Sequence, residues 1–273
     1  MTAPPLARLD RRSPTLPGVA IRYWWRPVAV IAHREILRQL KQPVTIFTQV
    51  AQLGFFLVVY GIGFASMIGS AGGVPFAAYV LPGILAINAV TTGTGAGLSF
   101  AFDRDYGFMR EMFIAPVPRL TIPLGKALGV TVQAVAYSAL LLAAAPALGV
   151  TLSSARVGET LAGCAFTTAV FCALGLALAT LITKVQVLQG VIQLAMFPLL
   201  FLSGSVFSPQ QAPPWLNAAI KANPMTYAVD LLRHTLLQAP PAAALLRPAG
   251  VDLAVLATLG LLFFAVIRAR IGR

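Results

Sequence analysis

Six ionisable side chains fall within one short stretch, FDRDYGFMREMFIAPVPRL, residues 102–120: Asp103, Arg104, Asp105, Arg110, Glu111 and Arg119. Carboxylates and guanidinium groups at this spacing can cap helix ends, form salt bridges or grip a groove on another protein. Elsewhere the chemistry-bearing residues are scattered. His33 and His234 each stand alone, and Cys164 and Cys172 lie eight apart in an apolar run. Buried small side chains are the better reading of that pair than a disulfide or a metal site. Gly125-Lys126 is followed by Ala127 and lacks the upstream glycine of a phosphate loop. Neither G-x-S-x-G nor H-E-x-x-H occurs. The expectation is a chain with no catalytic residue and no metal centre of its own.

The composition says what must position the charged stretch. Of 273 residues, 58% are hydrophobic and 10% charged, with a mean hydropathy of +0.82. A soluble domain carries about 25% charged residues, so this chain cannot cover itself with polar surface and needs lipid around it. Residues 42–102 contain no Asp, Glu, Lys or Arg, room for two spans and a turn at roughly 20 residues per span. The net charge of +12 sits in the breaks between apolar runs rather than in a basic patch, which argues against nucleic acid as a partner. The fold class expected is an all-α polytopic membrane protein.

Residues 1–20, rich in proline and without an apolar core before Ile21, read as a disordered cytoplasmic tail rather than a signal peptide. Residues 21–41 form an amphipathic helix, with Trp25, Val28, Ala29, Ala32, Ile36 and Leu40 on one side and Arg34, Arg38 and Lys41 opposite. Such a helix lies in the headgroup layer or packs on a partner. Residues 42–273 hold six expected spans, at 44–66, 77–101, 122–150, 157–182, 187–204 and 249–267. Between the last two, residues 207–238 form a hairpin of two short helices separated by Asn223-Pro224. They are too short or too polar to span, and so interfacial or re-entrant.

Orientation follows from Lys and Arg. With the N-terminus inside, the inner segments hold eight in residues 1–43, four in 102–126, Lys184 and three at the C-terminus. The outer segments hold Arg156, Lys221, Arg233 and Arg247. Both termini are therefore expected in the cytoplasm.

No acid or lysine falls near a span centre, which disfavours an ion-driven carrier. The deepest polar groups are Gln49, Gln52, Asn88, Gln133 and Gln193. Hydrogen bonding between helices is the ordinary role for each; Asn88 is the best candidate for lining a pathway. Gly93/Gly97 and Gly125/Gly129 have the spacing for close helix contact. Energy for any transport must then come from another chain. Residues 103–116 fit a short cytoplasmic helix opened by Asp103 and Asp105, with Phe108, Met109, Met112 and Phe113 on its apolar side, Arg110 and Glu111 on its charged side, and Pro116 at its end. A solvated loop with topology-setting arginines is the other reading.

These stretches resemble the membrane subunit of type-2 ABC exporters, the group that includes daunorubicin-resistance permeases and polysaccharide exporters. Asp103-Arg104-Asp105, Gly107, Pro116, Arg119 and Gly125-Lys126 are similar to the family's first cytoplasmic loop. Ser203-Gly204, Phe207, Pro209, Pro213, Trp215-Leu216, Asn223-Pro224, Thr226-Tyr227, Asp230 and Arg233 are similar to its pattern after the fifth span. The resemblance implies a half-transporter in the cell inner membrane. Two permease subunits would pair and sit on two separate ATPase subunits, which bind ATP and Mg, leaving no cofactor on this chain. The loop helix would couple to the ATPase, the N-terminal helix would add a second contact, and the hairpin would form the outer gate. Lipophilic drugs or lipid-like molecules are the substrates expected first, polysaccharides or glycolipids the alternative. An ion-driven carrier or a structural membrane protein would be the reading from another class.

Overall fold

The computed structural model describes residues 25–64, 70–71, 74–107, 118–148, 154–205, 213–237 and 247–271. Nine α-helices lie within them: α1 (Trp25–Leu40), α2 (Pro43–Val58), α3 (Phe76–Asp105), α4 (Thr121–Ala144), α5 (Ser154–Leu181), α6 (Val185–Phe201), α7 (Pro214–Ala222), α8 (Pro224–Leu236) and α9 (Ala249–Ile271). A two-residue antiparallel rung, Ser70 opposite Pro75 and Ala71 opposite Val74, precedes α3.

Four helices, α3, α4, α5 and α9, are long and apolar enough to cross a membrane. The other two expected spans are shorter as regular helix. α2 has 16 residues and passes directly into the π-helical turn Val59–Phe64. α6 has 17 and carries Pro198 in its last turn, where a missing N–H favours termination.

α3 is the axis of the bundle, nearly all of it enclosed by the other helices. Small residues allow this. A Cβ on Gly93 would lie 2.8 Å from the Thr168 carbonyl oxygen of α5, and one on Gly97 would overlap the backbone of Gly175. Gly175 in turn faces the Thr94 carbonyl, where a Cβ would sit at 2.5 Å. The two backbones therefore touch from Gly93 to Gly97 on α3 and from Thr168 to Gly175 on α5.

The second glycine pair seats α1. A Cβ on Gly125 would meet Ile31 Cβ at 2.6 Å, and one on Gly129 would meet Glu35 Cβ at 2.8 Å. This corrects the expected face of α1. Val28, Ala32 and Glu35 are buried against α4, whereas Trp25 and Leu40 are exposed. Close approach to the two glycines, rather than hydrophobicity alone, sets the helix's rotation.

Gly97→Ala is expected to cost about 1–3 kcal/mol, because the new methyl group has only backbone to displace. Gly95→Ala on the same helix meets nothing within 4 Å and should be neutral or stabilising. Melting curves of the two variants in detergent check this; equal melting temperatures would contradict the close α3–α5 contact.

Candidate functional site

Two buried ionic clusters lie at opposite ends of α3. The first is built around Lys126, in the second turn of α4 and only 2% exposed. Its Nζ lies 2.6 Å from Asp103 Oδ2 and 3.3 Å from Glu35 Oε2, and donates to Ser99 Oγ at 2.7 Å. Ser99 Oγ donates onward to Glu35 Oε1 at 3.1 Å. Arg38 reaches Asp103 Oδ1 at 3.4 Å, and Arg34 reaches Asp103 Oδ2 at 3.8 Å. One lysine thus joins α1, α3 and α4 through two buried carboxylates and is the closest cation to each.

Asp103 and Asp105 occupy the last turn of α3, not the first turn of the short helix expected there. Gly107 explains the difference. With φ of +81° it takes the left-handed conformation that ends helices, and its N–H donates to the Arg104 carbonyl at 3.2 Å. Asp103 at a C-terminus opposes the helix dipole, and Lys126, Arg34 and Arg38 offset that cost. Arg104 turns away and donates to the Ala179 and Ile182 carbonyls at 2.8 and 3.2 Å, capping the end of α5. Arg119 donates to Ile271 O at 3.4 Å, at the end of α9. The residues flanking the charged loop therefore tie it to the ends of two spans. Met109, Arg110, Glu111, Met112, Phe113 and Pro116 lie outside the described residues.

The second cluster holds Asp230 and Arg233, both fully buried on α8. Arg233 Nη1 is 3.6 Å from Asp230 Oδ1, its Nη2 donates to Gly204 O at 2.7 Å, and its guanidinium covers the Tyr79 ring at 4.4 Å. Gly204, with φ of +69°, turns the chain after α6 so that this carbonyl points inward. Asn223 caps α8: its Oδ1 accepts from Met225 N at 2.9 Å, its Nδ2 donates to Leu199 O at 2.8 Å, and Pro224 fills the first helical position. Tyr227 donates to Lys221 O at 3.0 Å beneath the Arg247 guanidinium. Pro213 precedes α7 and Trp215 is 72% exposed. α8 is thus enclosed almost all round rather than on one apolar side. Phe207 lies outside the described residues.

Tyr79 and Asp103 mark the two ends of α3. At 1.5 Å per residue they are roughly 36 Å apart, close to the ~30 Å of a hydrocarbon core plus its margins. Between them, Asn88 clamps α3 to α4. It donates to Ala134 O at 3.1 Å and Ser138 Oγ at 3.0 Å, and accepts from Thr92 Oγ1 at 3.3 Å.

The sequence reading passed over Glu35 and Lys126 as partners. The available signal was Glu35 three residues after Ala32 and seven after Val28, on the buried stripe. It also missed a polar cleft of about 240 Å³ between α1, α2, α3 and α4, lined by Gln39, Gln49 and Gln133 among others. Cys164 and Cys172 are both buried and free. Among the described residues no group of three or more His, Cys, Asp or Glu is placed to hold a metal.

Ionic clusters bounding an apolar slab, with no catalytic constellation among the described residues, define a polytopic helical membrane protein. The chain belongs to the ABC-2 type transporter family, whose model matches residues 27–237. It is 27% identical over 227 residues to nodulation protein J of Rhizobium leguminosarum bv. trifolii, covering 82% of this chain and 85% of that protein. Nodulation protein J of Neorhizobium galegae is 26% identical, covering 72% of this chain and 76% of the relative. The putative transport permease ycf38 of Cyanophora paradoxa is 22% identical, covering 84% and 79%.

Lys126→Met takes the closest cation from two buried carboxylates and should cost about 3–5 kcal/mol. Combining it with Glu35→Gln and Asp103→Asn should restore most of that loss. Arg38→Ala, at a side chain 34% exposed, should cost less than about 1 kcal/mol. Thermal unfolding in detergent ranks the three; a wild-type melting temperature for Lys126→Met would contradict the hub.

Proposed function

We propose that this chain is the permease subunit of an ATP-driven exporter, energised by a separate ATPase that binds ATP and Mg. Family membership carries the reading. The geometry supports it, since Arg104 and Arg119, on either side of the charged loop, are tied to the ends of α5 and α9. Met109, Met112 and Phe113 would enter a groove on the ATPase, and Arg110 and Glu111 would fix the register. α1, locked to α4, would be the second contact.

In this reading six segments cross the cell inner membrane. α2 with its π-helical continuation spans 43–64, and α6 reaches about 26 Å at 1.5 Å per residue, long enough to span with a small local adjustment of the bilayer. Both termini face the cytoplasm, by the excess of Lys and Arg on that side. A second permease subunit would cover the exposed Phe47 and Phe55 of α2 and Leu194, Phe197 and Phe201 of α6, with lipid on the rest. The α7–α8 hairpin, pinned by Asp230 and Arg233, would close the outer side. An amphipathic lipid-like substrate fits best; among such molecules a glycolipid is favoured by the amide and hydroxyl groups that line the cleft beside α2, alongside Glu35 and Arg38.

Purification of the tagged chain from its native membrane in mild detergent should bring down a stoichiometric ATPase. Met112→Asp with Phe113→Asp should abolish that co-purification while leaving the amount of inserted permease unchanged. Full retention of the ATPase by this variant would overturn the docking face, and absence of any ATPase with the wild type would overturn the reading as a whole.

A further inference from the structure

A second groove, of about 390 Å³, runs between α4, α5 and α9, and almost all of its surface is apolar. Side-chain size accounts for it. Ala127, Ala169, Ala173, Ala257 and Gly260 line it, and these small residues leave a furrow beside Phe166 and Phe264. A Cβ on Gly260 would meet Val170 Cγ2 at 3.3 Å, so α9 lies close against α5 there. Leu261 also lines the groove and is 71% exposed, so the furrow opens toward the surrounding bilayer.

Its length and position match one leaflet. Along α9 the lining runs from Ala257 to Ile267, about 15 Å at 1.5 Å per residue, or half of a ~30 Å hydrocarbon core. The half in question carries the Lys126 cluster, since Pro123 and Leu124 come from the first turn of α4 and Leu176 from the last two turns of α5. At that end the mouth of the groove is basic. Arg119 precedes α4 and donates to Ile271 O at 3.4 Å, bridging α4 and α9 one turn beyond Ile267. Arg268 and Arg270 are exposed in the last turn of α9. On a helix, Arg270 and Ile271 return to within about 60° of the direction of Ile267, and a guanidinium on its long stem reaches past an apolar edge to the headgroup level.

The walls bring no carboxylate to these arginines. α4 has no acid, and the acids of α5 and α9, Glu159 and Asp252, lie near the other end of the bundle. Asp105, exposed in the last turn of α3, faces Arg104 at 3.8 Å. Arginines at a span end ordinarily set topology and offset the helix dipole, but that role needs no furrow beside them. An apolar furrow one leaflet deep that ends in three cations matches the two parts of one molecule, a hydrocarbon chain and a phosphate. A zwitterionic head group would bring its own cation to the arginines, so the match is to a net anionic one. We propose that this groove holds an anionic glycerophospholipid as a resident of the fold, with one acyl chain between α4, α5 and α9 and the phosphate on Arg119, Arg268 and Arg270. None of the lining residues belongs to α2 or α6, the helices offered to a second subunit. The site stands on the fold alone, whatever the chain transports.

The test uses the full chain with any subunit that co-purifies, in vesicles of equal phosphatidylglycerol and phosphatidylcholine. A trace of one lipid or the other carries a photoactivatable diazirine on an acyl chain, and the crosslinked peptides are mapped by mass spectrometry. Phosphatidylglycerol should label the segments around Phe166 and Phe264 roughly fivefold or more above phosphatidylcholine, the effect of at least one cation at a membrane surface. Arg268→Gln with Arg270→Gln should remove most of that preference, and Arg268→Lys with Arg270→Lys should keep it. Ala169→Leu, which fills part of the groove, should weaken labelling by both lipids. Positions 169, 268 and 270 are all exposed, so each variant should insert and fold as the wild type does. Equal labelling by the two lipids, or a preference that survives the glutamine variant, would overturn the proposal. Loss of the label when ATP is added to a complex that hydrolyses it would also overturn it, because the lipid would then be cargo.

Discussion

Everything at the α1 end of this bundle depends on one buried ammonium group. Lys126 emerges from the start of α4 into a space where water cannot solvate it, and it is held there by Asp103 of α3 and Glu35 of α1. Such a cluster adds little net stability compared with an apolar core of the same shape, but removing a single member is expensive. Its effect is therefore specificity. Pairing these charges ties the three helices together, and that arrangement fixes where the residues on either side of the charged loop lie.

The same logic recurs at the other end of α3, where Arg233 is paired with Asp230, bonded to Gly204 and stacked on Tyr79. Between the clusters runs an apolar length with one polar clamp, Asn88. Glycines at 93, 97 and 175 bring α3 and α5 into backbone contact, and glycines at 125 and 129 do the same for α1 and α4. α1 is thus part of the bundle and not an ornament on its surface. A push delivered to the charged loop or to α1 from a soluble motor would reach the same rigid unit.

Much of this could be read before the structure. The apolar runs, the paired glycines and the Asn223-Pro224 junction each have a local physical signature, and each coincides with an element or a contact. What escaped was non-local. Asp103 and Asp105 look like an N-cap when only the following residues are considered; the αL glycine at 107 and a lysine more than twenty residues on make them the end of α3 instead. Glu35 looks like one more charge on a basic face until Gly129 brings α4 against it. The partners of Asn88, the Ala134 carbonyl and Ser138, lie on another helix and carry no local signature. The polar cleft has walls from four elements and no sequence motif at all.

The central claim is that the Lys126 cluster holds α1, α3 and α4 as one body, which would stay rigid as the proposed ATPase works. Leu37 on α1 and Leu128 on α4 are both exposed, and the two native thiols are buried, so spin labels can be placed at these positions alone. The most direct measurement is their distance distribution by pulsed electron resonance in the reconstituted complex, nucleotide-free and ATP-trapped. A single narrow distance, unchanged between the two states, is predicted. A second population or a shift on ATP binding would contradict the account.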